Sequence, residues 1–213
     1  MHYLLNNIDR KTGSRPDRSE LNSRSLNIIN AGADPFAGVL AAAFFYLLHN
    51  QCALRKATKE IREMFSTPSE ICSGPKLNSC VYLQACIQET LRLAPPAPSH
   101  LPREVLPGDI DVYGTTFLVV CTSRESVELA HWTFCPFSLG ICRCIGKNVE
   151  YLELKLVLAH ILHRFDMRLA ATDMNLGGGN PDLEGERHRL DEFQLVDYIG
   201  VARNGPHRRR ICG

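Results

Sequence analysis

The run Phe36–Leu48, "FAGVLAAAFFYLL", has an apolar or small side chain at every position. A helix with no polar face must be covered on most sides, so the rest of the chain has to supply neighbouring helices. At about thirteen residues the run has the length of a buried core helix, short of the ~20 residues that cross a bilayer. No other run is long or clean enough for a membrane span. The apolar character already begins at Ser25, with "SLNIINAGADPF" leading into the run. Pro35 lies inside this stretch, and a mid-helix proline removes a hydrogen bond and clashes one turn back, at a cost of roughly 3 kcal/mol. The sequence therefore predicts one kinked helix or two shorter ones.

Three further segments can cover that helix. Residues 51–65, "QCALRKATKEIREMF", place Leu54, Ala57, Ile61 and Met64 on one stripe, with the charges expected to face out. "CVYLQACIQETLRLAPP" reads as a helix with Val81, Ala85 and Leu91 on its apolar side, stopped by Pro95-Pro96. Between Asn148 and Phe165 two stripes repeat at helical spacing: Tyr151, Leu154, Leu158, Ile161 or Leu162 with Phe165, and Leu152, Leu156 and Ala159. A helix with two apolar stripes is mostly buried. Residues 104–121 have strand character around Val112 and Phe117–Val120, with Gly108 and Gly114 at turns. Residues 7–24 are polar and read as a linker or an exposed start. After Gly177-Gly178-Gly179 the chain is polar apart from Phe193–Val201. The expected organisation is a polar segment 1–24, a mainly α domain 25–170 with a small β patch, and a polar segment 171–213.

Lys plus Arg number 24 against 23 Asp plus Glu, so no global field argues for nucleic acid or an anionic membrane. Arg208-Arg209-Arg210 reads as a solvated tail. The nine cysteines are odd in number and irregularly spaced, which speaks against a closed disulfide framework and for free thiols in a reducing compartment.

Two of those thiols, Cys142 and Cys144, lie one residue apart in "PFSLGICRCIGKN". Gly140 and Gly146 flank Cys144 and would allow unusual backbone angles or a close approach to a flat ligand. The helix that begins near Lys147 aims its free N–H groups and dipole at the loop, which favours a thiolate there. That is the physics required of a cysteine bound to haem iron. Two alternatives stand beside it. Cys144 could be a small buried apolar residue, or His131, Cys135, Cys142 and Cys144 could form a zinc site, although H-x3-C-x6-C-x-C matches no common pairing of ligands. Glu89 and Arg92, in "QETLR", lie at i and i+3 and can pair directly.

Taken in order, Ala31-Gly32-Ala33-Asp34, Glu89-Thr90-Leu91-Arg92 and Phe137-x-x-Gly140-x-x-x-Cys144-x-Gly146 resemble cytochrome P450. The flanking "GPKLNSCVYLQACIQETLRLAPPAPSHLPREVLPG" and "CIGKNVEYLELKLVLAHILHRFDMRLA" are similar to the filamentous-fungal microsomal branch. The resemblance covers most of residues 16–170 and corresponds to the C-terminal part of the family's haem domain, with internal losses.

The resemblance implies haem b as cofactor and Cys144 as its proximal iron ligand. Phe137, Gly140, Arg143 and Gly146 would surround the cofactor, and Arg103 would contact a haem propionate. The Gly32 region would be the distal helix, with Asp34 in the proton relay, and Glu89 with Arg92 the buried core pair. The implied reaction is insertion of one oxygen atom from O2 into a small apolar, secondary-metabolite-like substrate, with electrons from NADPH–cytochrome P450 reductase. The implied location is the endoplasmic reticulum membrane through the family's N-terminal half, or the cytoplasm for a chain without that anchor. Three features differ from the family pattern: Cys142 stands at the place of an arginine, Pro35 at the place of a threonine, and "SRESVELAHWTF" is shorter than the family's segment there. They motivate the alternative of a non-catalytic remnant or scaffold fragment.

Overall fold

The computed structural model describes residues 8, 13–97, 134–140, 143–169, 177–180, 182, 189–194, 196–197 and 201–202. Among the described residues, five α-helices dominate: α1 (Arg18–His49), α2 (Gln51–Met64), the single-turn α3 (Pro75–Asn78), α4 (Val81–Leu93) and α5 (Lys147–Arg164). A 3-10 turn, Pro68–Glu70, lies between α2 and α3. Two short strands, β1 (Val196–Asp197) and β2 (Val201–Ala202), pair antiparallel, with Val196 opposite Ala202. The β patch expected at 104–121 lies outside the described residues.

α1 is one unbroken helix of 32 residues that contains Pro35, in place of two shorter ones. It starts at Arg18 because Asp17, with extended backbone, caps it by accepting the Glu20 N–H at 2.7 Å. Residues 18–24, expected to be part of a polar linker, are therefore its first turns. Residues 26–34 are exposed, with Leu26, Ile28 and Ile29 each more than half accessible, whereas Val39, Ala41–Phe45 and Leu47 are buried. Length and composition alone would let α1 cross a membrane. Its C-terminal half is buried against the other helices.

α2, α4 and α5 pack on one another and on α1 around a single main core. α2 contributes Leu54, Ala57 and Ile61, and α5 contributes Leu154, Leu158, Ala159 and Leu162. α4 departs from the expected face. Leu83, Ile87, Thr90 and Leu91 are buried, while Val81 is 71% exposed and Ala85 lies on the outer side. Thr90 is accommodated because its hydroxyl donates to the Cys86 carbonyl at 2.8 Å.

The charges of α2 do not all face water. The Glu60 carboxylate accepts the backbone N–H groups of Tyr82 and Leu83, both at 2.8 Å, and so caps α4 from a neighbouring helix. The α4 N-cap residue, Cys80, supplies no side-chain cap of its own. Arg62 donates to the carbonyls of Leu162 and Phe165, each at 3.3 Å, and pairs with Asp166 at 2.8 Å. It thereby binds the open C-terminal end of α5. The His163 ring donates to the Phe65 carbonyl at 3.0 Å beside it.

A second, smaller core forms where the C-terminal segment crosses α1. The Phe193 ring lies 5.4 Å from that of Phe45, and both are buried with Ala41, Ala42 and Ala94. The Gln194 N–H donates to the Gly177 carbonyl and the Gly179 N–H to the Arg189 carbonyl, both at 2.8 Å. Gly178 must be glycine here, since a Cβ would stand 2.1 Å from the Leu190 carbonyl oxygen.

Candidate functional site

The loop before α5 is built on a buried aromatic. Phe137 belongs to the main core, and its ring lies 5.2 Å from that of Tyr151 in the second turn of α5. The Lys147 ammonium lies over the Phe137 ring, 5.9 Å from its centroid. The chain then reverses sharply. The Ser138 N–H donates to the Cys135 carbonyl at 2.9 Å, and the backbone enters the left-handed region at Ser138 (φ 58°) and Gly140 (φ 63°). The Arg143 N–H returns to the Gly140 carbonyl at 3.2 Å, and the Cys144 N–H to the Phe137 carbonyl at 2.8 Å. The last bond fixes Cys144 against the buried anchor.

The two flanking glycines do different work. Gly140 supplies the positive φ that the turn requires. Gly146 does not: its backbone is right-handed (φ −82°, ψ −3°), and it is the N-cap of α5. A Cβ there would meet the Cys144 sulfur at 3.6 Å, an ordinary contact. The cysteine sulfur thus lies over the residue that opens α5. Gly146 has no side chain to cap this helix, whose first N–H groups lie at the end next to the loop.

Cys144 is exposed, which removes the reading of a buried apolar thiol. Around it, Leu139 (65%), Ile145 (98%) and Val149 (56%) also face outward. A sulfur donor on a loop anchored by Phe137, with outward apolar side chains nearby in the chain, suits a flat macrocycle that would be held by one sulfur and covered by apolar groups. Among the described residues, no three His, Cys, Asp or Glu side chains come together as a metal site. His131 and Cys142, two members of the zinc alternative, lie outside the described residues. Arg103 lies outside them as well.

Arg143 is on the loop and exposed. Asp34 lies on the exposed half of α1, directly before Pro35, and the space around Gly32 is open. Glu89 and Arg92 form the expected pair, in bidentate geometry at 2.7 and 2.8 Å. Their hydrogen bond holds the Glu89 carboxyl below its ordinary range. The pair is not in the core, however: the side chains are 56% and 58% exposed, because the face of α4 that carries them points away from α2 and α5.

Two residues of consequence were not found by sequence reasoning. Glu60 lies in a run of charges that reads as a solvated face, and its role depends on a partner helix more than twenty residues away. Glu150, in the first turn of α5, has one carboxyl oxygen buried without a hydrogen-bond partner. Burial pushes its carboxyl up to about 7, helped by the nearby Glu153 charge. The available signal was a charged residue at an apolar register position, four before Leu154.

The family model described as Cytochrome P450 matches residues 1–119 and 123–176. The chain is 36% identical to the cytochrome P450 monooxygenase apf8 of Gibberella fujikuroi, over 96% of this chain and 63% of that protein. It is 34% identical to a cytochrome P450 monooxygenase of Gibberella zeae, over 96% of this chain and 54% of the relative. With the cytochrome P450 monooxygenase AKT7 of Alternaria alternata the identity is 31%, over 96% and 46%. The chain thus spans about half to just under two thirds of the length of these curated fungal relatives.

Proposed function

This chain belongs to the cytochrome P450 family, and from that premise we propose that it is the Cys144-bearing part of a haem-thiolate monooxygenase acting on a small apolar substrate of fungal secondary metabolism. The observation that carries the reading is the exposed Cys144, whose backbone N–H donates to the Phe137 carbonyl on a loop anchored in the core. Haem b, when bound, supplies the activation of O2 and the transfer of one oxygen atom to substrate.

The residues of the chain would serve that chemistry in distinct ways. Cys144 would supply the sulfur that holds the haem iron, at the start of α5. Phe137 and its contact with Tyr151 keep the loop from shifting, and Leu139, Ile145 and Val149 offer apolar cover that excludes water. Arg143 and Arg103 are the cations suited to propionates. Asp34 can hold and pass a proton on the distal helix; Pro35 beside it offers no hydroxyl, so any further relay falls to water. Electrons would come from NADPH–cytochrome P450 reductase, and by family analogy the protein would act at the endoplasmic reticulum membrane. A second reading, a non-catalytic fragment, draws on the exposed Glu89–Arg92 pair, which in the first reading belongs in the core.

The test is the absorption spectrum of the purified chain reconstituted with haemin, reduced and exposed to carbon monoxide. The first reading expects the red-shifted Soret band of a thiolate-ligated haem, abolished by Cys144→Ala. A chain that folds yet shows no such band supports the second.

A further inference from the structure

Glu150 stands at the head of the stripe Leu154, Leu158 and Leu162, whose three members are 0% exposed. Residues four apart lie on one helical face, with side chains leaning toward the N-terminus. The Glu150 side chain therefore lies along that stripe, where it is half-buried. Its Oε1 atom is buried with no hydrogen-bond partner. A carboxylate in the first turn of a helix normally gains from the helix dipole. Here burial outweighs that gain and pushes the carboxyl up to about 7, with the Glu153 charge adding to the effect.

Among the described residues, none of the cations packed near α5 is engaged with it. α1, α2, α4 and the 3-10 turn pack against α5. Arg62 of α2 meets the other end of the helix, at Leu162, Phe165 and Asp166, and the His163 ring is engaged there with Phe65. Lys155 reaches Asn78 of α3 at 3.1 Å. The Lys147 ammonium of the first turn lies near the Phe137 ring. The charged group acting on Glu150 is Glu153 of its own helix; among the described residues, none from α1, α2 or α4 does so.

The first turn of α5 and the cysteine loop form one connected piece. The Glu150 N–H donates to the Gly146 carbonyl at 2.9 Å, the Cys144 N–H to the Phe137 carbonyl at 2.8 Å, and the Phe137 and Tyr151 rings are in contact. We propose that Glu150 is a proton-operated latch for the Cys144 loop: its neutral carboxyl seats the first turn of α5 on the core, and its ionised form lifts that turn, with the loop attached, toward water. The latch belongs to the chain itself and holds whether or not Cys144 ligates haem.

The sign follows from the shift. The native carboxyl keeps its proton to a higher pH than the ordinary 4.5 of a free glutamate, so the seated form is favoured at low pH and is lost as pH rises through about 7. One pH unit above that point the ionised form exceeds the neutral one about tenfold, and opening should rise by about the same factor between pH 6 and 8. The experiment is amide hydrogen exchange of the full chain, corrected for the intrinsic pH dependence and read at Cys144, Glu150, Tyr151 and Leu152. Protection at these amides should fall about tenfold from pH 6 to 8 in the natural chain. It should stay flat in Glu150→Gln. In Glu153→Gln the fall should move to lower pH, because removing the like charge lowers the Glu150 pKa. A flat profile in the natural chain, or an equal fall in Glu150→Gln, overturns the latch. If Glu150→Gln does not fold, Glu153→Gln decides, and an unshifted fall overturns it.

Discussion

Replacing Glu60 by alanine should destabilise the protein far more than an exposed charge on an amphipathic helix normally would. Both Glu60 oxygens are engaged, each accepting a backbone N–H of α4 at 2.8 Å. Cys80 at the α4 N-cap offers no side-chain substitute. Hydrogen bonds to a charged group contribute about 1.5–3 kcal/mol each, and loss of a helix cap costs about 0.5–2 kcal/mol in total. Water can reach part of the vacated site, so a loss of about 2 kcal/mol is expected, between the cap value and the sum of two charged bonds. For a chain of this size that corresponds to a fall in Tm of about 4–8 °C. Glu60→Gln keeps one acceptor oxygen and should fall between. The control is Glu63→Ala, one turn along at a residue whose ion pair with Lys59 is long (3.7 Å) and exposed, and worth little. The assay is thermal and urea unfolding followed by far-ultraviolet circular dichroism. A second readout is independent of stability. The Cys86 thiol is pushed up to about 11, first by burial and then by the Glu60 charge, so it should titrate lower in Glu60→Gln. Equal stability of Glu60→Ala and Glu63→Ala, with an unmoved Cys86 titration, would refute the cap.

Two other perturbations probe the two cores separately. Leu158→Ala, at a fully buried position of α5, should cost about 2–5 kcal/mol by urea unfolding, as large-to-small changes in a close-packed core do. Gly178→Ala would press a Cβ against the Leu190 carbonyl, and a strain of about 1–3 kcal/mol should lower amide protection at Gly179 and Gln194 about tenfold while α2 and α4 keep theirs.

The legible parts of the fold were those set by local periodicity. The stripes of α2 and α5 were visible because their buried positions recur at helical spacing, and Cys144 stood out by its distances from Phe137, Gly140 and Gly146. The α4 face was misjudged because Val81 and Leu83 are both apolar and only the neighbouring helices decide which one is covered. α1 runs through Pro35 because the buried residues that follow, Val39 to Leu47, repay the lost hydrogen bond. The exposure of Glu89 and Arg92, the cap from Glu60 and the burial of Glu150 all depend on contacts between helices. No single-segment pattern carries that information.

These contacts give α2 a larger part in the site than its sequence indicates. It holds none of the residues that mark the family. Yet Glu60 fixes the start of α4, the helix of Glu89 and Arg92, and Arg62 fixes the end of α5, the helix that Cys144 precedes. The two charges lie two residues apart on one helix, so they point to different sides and bind different neighbours. α5 is thus held polar-to-polar at its C-terminal end, and at its N-terminal end by the Phe137–Tyr151 contact and the seat of Glu150. The cysteine loop is therefore attached at the end of α5 that the proposed Glu150 latch would control, opposite the end that Arg62 binds.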